Sequence, residues 1–329
     1  MSRPDAPTST SVLSAANNWL GSPIVLRRIS LASLVANIGI VVTGGAVRLT
    51  ASGLGCPTWP RCTDDSYVNT PEMGINGTIE FGNRLLTFVV GFLALAALIS
   101  ALLQSPRRRS LIRLAALVFL GIPAQAVIGG ITVLTDLNPW VVGLHFLASI
   151  GVIAAAYALW RRVDEPDGRK IATVPAPLRT LTALTTAVGF AVVVIGTWVT
   201  GSGPHAGDHG AARNGLDPES ISQAHVDLVF LMLGLSIALW FAFRAVGATA
   251  PARATLVLLA VAVGQGVIGF VQYFTGLPEV LVGLHMLGSC VFWTATLAVQ
   301  WSTRQREAGT EAGAAQPARP QPLAAVATR

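Results

Sequence analysis

Two stretches of the chain decide its architecture: Gln125-Ala-Val-Ile-Gly-Gly running to Val142-Gly-Leu-His145-Phe-Leu-Ala-Ser149, and Gln265-Gly-Val-Ile-Gly-Phe running to Val282-Gly-Leu-His285-Met-Leu-Gly-Ser289. They align at a constant offset of 140 without a gap, and 12 of 25 positions are identical, which makes the chain an internal repeat. Weaker echoes precede them: Thr50-Ala-Ser-Gly53 with Thr200-Gly-Ser-Gly203, and Asn83-Arg-Leu-Leu-Thr-Phe88 with His225-Val-Asp-Leu-Val-Phe230.

Each repeat is built from apolar runs. About 20 residues are needed to cross ~30 Å of hydrocarbon, and runs of that length occur near 28–47, 79–103, 111–134, 139–160, 178–200, 221–243, 253–274 and 279–300. Backbone groups in lipid must satisfy their own hydrogen bonds, and no ten-residue alternation of an outer-membrane barrel is present, so each run reads as a helix. The expectation is an all-α polytopic membrane protein with eight transmembrane helices in two tandem four-helix bundles. Four crossings return the chain to its starting side, so the halves share one orientation and are related by a pseudo-twofold axis along the membrane normal.

Composition agrees. Charged residues make up 12% of the 329, against about 25% in an ordinary soluble domain, while 52% are hydrophobic and mean hydropathy is +0.61. That excludes a cytosolic enzyme, a disordered chain and a small disulfide-framework module. The net charge of +6 invites a nucleic-acid reading, but the basic residues sit in short clusters between apolar runs. Arg27 and Arg28, Arg107 to Arg109 with Arg113, Arg161, Arg162, Arg169, Lys170 and Arg179, Arg244 and Arg253, and Arg304 and Arg306 all fall on one side of eight spans. Positively charged loops stay at the cytoplasm, so both termini are expected there, in the plasma membrane, with 48–78 and 201–220 as long external loops. The expected divisions are a cytoplasmic N-terminal segment 1–27, bundles 28–160 and 178–300, a linker 161–177, and a disordered tail 301–329 rich in Ala, Pro and Gly. No cleavable signal peptide is apparent in the first twenty residues.

Three of the five histidines, His145, His225 and His285, fall inside spans at one depth, one to two turns from the external end. An imidazole in hydrocarbon is costly unless partnered. Bonding to a neighbouring helix is the plain alternative for any one of them. Two imidazoles on two helices of one bundle suit instead the axial positions of a haem iron. A zinc site would want further ligands, and Cys290, five residues beyond His285, reads as a small core residue. In the first half the position matching His225 is Asn83, so a haem held there by His145 lacks a second imidazole and suits a substrate better than a permanent carrier.

Glu80 and Arg84 stand one turn apart near that depth, and the counterpart of Glu80 in the second half is Ser222. A surface ion pair is one reading; a carboxylate that relays protons beside the non-equivalent haem is the other. Cys56-Pro-Thr-Trp-Pro-Arg-Cys62 lies in an external loop where a disulfide can persist, as a structural bridge or as a redox-active pair. His205, Asp208 and His209 in the second loop form either a weak metal site or a solvated Gly-rich loop.

These residues resemble those of the bacterial heme A synthase family, in its actinobacterial form. The resemblance covers roughly 28–300 and rests on Gly44-Gly-Ala-Val-Arg-Leu-Thr-Ala-Ser-Gly-Leu-Gly-Cys-Pro-Thr-Trp-Pro-Arg-Cys62, Ile79-Glu-Phe-Gly-Asn-Arg84, Gly201-Ser-Gly-Pro-His-Ala-Gly-Asp208 and the two Gly-Leu-His helices. It implies oxidation of the C8 methyl of heme O to a formyl group, giving heme A, by two hydroxylations and loss of water. It implies a heme b held by His225 and His285, a substrate haem beside His145, Asn83 and Arg84, an acidic catalytic residue at Glu80, and a disulfide between Cys56 and Cys62. Membrane lipid, a heme O synthase (protoheme farnesyltransferase), cytochrome oxidase assembly factors and a further copy of the chain are the implied partners, with no nucleic acid. Many members carry His at the position of Asn83. A dihaem b-type cytochrome that only passes electrons is the alternative, and a transporter of parallel repeats a third.

Overall fold

The computed structural model describes residues 17–308; the first part of the expected N-terminal segment and residues 309–329 of the expected tail lie outside the described residues. Eight helices follow one another: α1 (Pro23–Leu49), α2 (Gly74–Leu103), α3 (Arg109–Leu134), α4 (Pro139–Val163), α5 (Ala176–Ser202), α6 (Pro218–Ala245), α7 (Thr249–Phe274) and α8 (Glu279–Ser302). All eight are long and apolar enough to cross a membrane. Large apolar side chains such as Phe88, Phe92, Phe274 and Val280 stand on their outer faces, where hydrocarbon rather than water is the solvent.

Several helices extend two to five residues beyond the apolar runs, and three of the eight open on a polar cap. Ser22 accepts from the Val25 N–H (3.3 Å), Asn138 from Trp140 (3.0 Å) and Asp217 from Ser220 (2.8 Å), each with a proline opening the first turn. The Ser220 hydroxyl, and after it the Ser220 N–H, hold the exposed Asp217 carboxyl below its usual range. Pro123 lies inside α3 without ending it.

Packing follows the repeat. Each helix of the first four packs on the next, and α4 returns to α1; α5 to α8 close in the same way. Thus α2 and α4 lie across the first ring from one another, as α6 and α8 do in the second. The rings join through α4 against α8 and α5, and α1 against α8. One apolar cluster runs through both, and the Trp293 indole N–H of α8 donates to the Ile150 carbonyl of α4 (3.2 Å) across the seam.

Helix ends divide into a disulfide-bearing end and an arginine-rich end. At the latter, the chain is more ordered than its composition suggests. Residues 301–306, expected in a disordered tail, continue α8 to Ser302 and form strand β2 (Arg304–Arg306), antiparallel to β1 (Lys170–Ala172) in the linker. Backbone pairing between segments this far apart in the chain leaves no periodicity in so short a stretch, which is why composition misled. Buried Arg162 donates to the carbonyls of Glu165 (2.8 Å) and Pro166 (3.0 Å), and Asp167 bridges Arg162 and Arg108. Partial burial opposes them, yet these two guanidinium groups hold the Asp167 carboxyl below its ordinary range.

Candidate functional site

Buried residues are distributed unevenly along the helices. In α4, α6 and α8 no residue before Ile150, Met232 and Cys290 is buried, and in α7 none after Ala262 is. In α2 none is buried between Glu80 and Val90. The arginine-rich halves of both rings therefore pack solidly, while the disulfide-bearing halves diverge around half-exposed inner faces. The histidines and Asn83 stand in those halves.

His145 and His285 are each the seventh residue of their helices and His225 the eighth, about 9–10 Å along the axis. Each ring faces a glycine. A Cβ on Gly129 of α3 would stand 3.2 Å from His145 Cε1, one on Gly269 of α7 3.4 Å from His285 Cε1, and one on Gly196 of α5 3.2 Å from His225 Cε1. Gly129 and Gly269 are the same position in the two copies. The repeat contained that signal, but only the ring contacts reveal its meaning. The Nδ1 atom of all three histidines is buried without a hydrogen-bond partner among the described residues. Orphaned imidazole nitrogens in a membrane interior call for a ligand. His225 and His285 come from helices across the ring from one another, and a haem with two axial imidazoles fits that donor set.

In the first ring Asn83 accepts a bond from Thr43 (2.7 Å), so it is turned toward α1. Gln125 Nε2 donates to the His145 carbonyl (3.3 Å) and to Ser149 Oγ (2.5 Å), pinning the turn that carries His145. Its counterpart Gln265 lies against Gly288 instead. The repeat therefore preserves the residue and changes its use.

Glu80 is the only Asp or Glu buried among the described residues, at 5% exposure. A surface ion pair is thereby set aside. Its Oε2 accepts from the Cys56 N–H (2.6 Å), and its Oε1 accepts from Arg84 Nη2 (2.6 Å) and Nε (3.1 Å). Arg84 also donates to the carbonyls of Cys56 (3.0 Å), Thr58 (3.0 Å) and Arg61 (3.1 Å). One guanidinium thus gathers the whole Cys56–Cys62 segment onto α2. Cys56 and Cys62 are disulfide-bonded and both buried. The Trp59 indole lies against Gly130, where a Cβ would overlap it, so the loop also roofs α3 beside His145. In the second half Ser222 only bonds its own helix, at the Pro218 carbonyl (2.6 Å).

The second loop does not assemble a metal site: no cluster of three or more His, Cys, Asp or Glu exists among the described residues. His205 Nε2 bonds the Leu277 carbonyl (2.9 Å), Asp208 accepts from the Gly210 N–H (2.9 Å), and His209 is exposed. Arg48 of α1 crosses to this loop, donating to the carbonyls of Thr200 (2.7 Å) and His205, and the Gly53 N–H reaches the Gly207 carbonyl (2.8 Å). Cys290 is buried in the core cluster.

A family model described as cytochrome oxidase assembly protein matches residues 27–207. Among individual proteins, the heme A synthase of Exiguobacterium sibiricum is 31% identical over 144 residues, 43% of this chain and 48% of that one. Those of Symbiobacterium thermophilum and Lysinibacillus sphaericus are 29% and 32% identical, over 45% and 43% of this chain and 47% and 46% of theirs. The chain spans about half the length of the curated relatives it matches.

Proposed function

Because this chain belongs to the cytochrome oxidase assembly protein family, we propose that it is a heme A synthase, oxidising the C8 methyl of heme O to a formyl group in the plasma membrane. The arginine distribution supports a reading with both termini at the cytoplasm and the disulfide-bearing end outside. The observation that carries the reading is the inequality of two otherwise repeated sites. One has imidazoles on facing helices; the other has one imidazole, an asparagine and a buried carboxylate under a disulfide-closed loop.

In this reading His225 and His285 hold a heme b, which when bound supplies one-electron transfer. His145 holds the substrate haem, with Asn83 and Arg84 lining the opposite side. Single firm ligation favours exchange of substrate for product. The Cys56–Cys62 loop, latched by Arg84 and Glu80, keeps water from the reacting methyl group. Glu80 is the catalytic acid–base: Oε2 exchanges the Cys56 N–H for a proton, while Arg84 holds Oε1 in place. Two hydroxylations, together a four-electron oxidation that draws its oxidant and inserted oxygen from outside the chain, convert the methyl to a geminal diol, and loss of water leaves the aldehyde.

A heme O synthase upstream, cytochrome oxidase assembly factors downstream, membrane lipid and a further copy of the chain are the partners this reading implies. A purely electron-passing dihaem cytochrome would need two equivalent sites, which Asn83 and Glu80 deny it. Co-expression with a heme O synthase in a host lacking heme A, followed by mass measurement of extracted haems, tests the assignment. Hydroxylated and formyl haems are expected. Their absence from cells holding folded, haem-loaded protein refutes it. Glu80→Ala is expected to keep heme b and lose product, and His285→Ala to lose heme b.

A further inference from the structure

At the arginine-rich end the linker after α4, the turn between α6 and α7, and the end of α8 line an open groove of about 530 Å³. Its acidic residues are already matched: Asp164 by Arg27 (3.0 Å) and Glu165 by Arg306 (3.3 Å). Two cations on its wall are not. Arg161 lies over the Trp160 ring, 5.6 Å from its centroid, and Arg304 over Trp301 at 3.8 Å, and neither enters an ion pair or hydrogen bond among the described residues. The aromatic faces hold both guanidinium planes while leaving their N–H edges free. Partial burial pulls the Arg304 pKa down, only partly offset by the charge of Glu165, which is already paired with Arg306, and a bound anion would oppose that shift further.

The first turn of α7, Thr249 and Ala250, forms another wall, and its N-cap Ala248 supplies no side-chain acceptor. Its free N–H groups add to what the two arginines already offer an anion. Trp160 and Trp301 stand at the ends of α4 and α8, at the level where tryptophan marks the boundary between hydrocarbon and headgroups. We propose that this groove binds the phosphate headgroup of an anionic phospholipid. The guanidinium forks match phosphate oxygens, and the position at the end of the apolar spans lets acyl chains remain in the bilayer beside α7 and α8. The site is independent of the haem chemistry at the opposite end.

The test is native mass spectrometry of the full chain in micelles containing phosphatidylglycerol, phosphatidylcholine or inorganic phosphate alone. One phosphatidylglycerol per chain should be retained. A preference over phosphatidylcholine of about twenty-fivefold is expected, about fivefold for each arginine. In Arg161→Gln/Arg304→Gln the preference should fall close to unity. Ala248→Asp provides a second arm that does not depend on that variant folding. Its carboxylate caps the α7 N–H groups, so the melting temperature should rise while phosphatidylglycerol preference is lost. Equal retention of both lipids by the parent protein, or an undiminished preference in Ala248→Asp, overturns the proposal. Binding of inorganic phosphate as tight as that of the lipid overturns the lipid assignment and gives the site to a soluble anion.

Discussion

Asn83 is the residue at which the two halves part company. Its Oδ1 is occupied by Thr43, and Gly44 beside it leaves ordinary van der Waals space (3.9 Å). A glycine thus stands beside this position as Gly196 stands beside His225 in the second half. Asn83→His is expected to raise haem retained on purification from about one to about two per chain, read by pyridine haemochrome, and to slow product release. Unchanged haem content would show that position 83 does not face the substrate. Conversely, Gly196→Ala places a methyl 3.2 Å from His225 Cε1, and should displace the ring, at a cost of about 1–3 kcal/mol, and reduce heme b retention. Gly234→Ala, with nothing within 4 Å, should do neither. These residue types are legible in the sequence. What each faces is not, because a glycine beside a ring and a glycine beside lipid are written alike.

Among the elements, the Cys56–Cys62 loop shows how much one side chain can organise. The spacing of Glu80 and Arg84 already places them together on α2. Nothing in that spacing points to the carbonyls of Cys56, Thr58 and Arg61, since a backbone acceptor is the same at every residue. Arg84→Gln strips the loop of these bonds and leaves Glu80 buried with only the Cys56 N–H. A loss of about 2–3 kcal/mol is expected, after allowance for the 21% exposure of Arg84, together with faster proteolysis within 57–61. Arg84→Lys should not restore it, because a point charge cannot serve three carbonyls and a carboxylate at once. Unaltered loop protection in Arg84→Gln would refute the latch. Helix limits were legible to within a few residues. Two of the early starts fall where Ser22 and Asp217 begin a helix in polar sequence before the apolar run, whereas the start at Pro139, after Asn138, coincides with the start of its run.

At the scale of the whole molecule, two similar rings are held in one relation by contacts that differ at the two ends. Trp293 and the apolar seam join them within the membrane, and Arg48 joins them at the disulfide-bearing end. Arg48→Gln removes charged donors to the Thr200 and His205 carbonyls and should lower stability by about 1.5–3 kcal/mol, read as a fall in melting temperature. The same variant should loosen the second loop, raising hydrogen exchange at 203–210 while leaving the Cys56–Cys62 loop protected. Equal exchange in both loops would mean that Arg48 does not act as a tie between the halves.

By itself the sequence determined eight spans, their pairing into a repeat and the inequality between the copies, since each of these follows from local composition or from matching one stretch with another. Hydrocarbon thickness sets the length of a span, and duplication preserves spacing, so both are written along the chain. Only the tertiary structure decided that Glu80 is buried under a loop, that Gln125 and Gln265 serve different ends, and that residues 304–306 pair with 170–172. Those outcomes depend on hydrogen bonds and packing between segments distant in sequence, and the partner on the far side of such a contact leaves no mark on the residue that makes it.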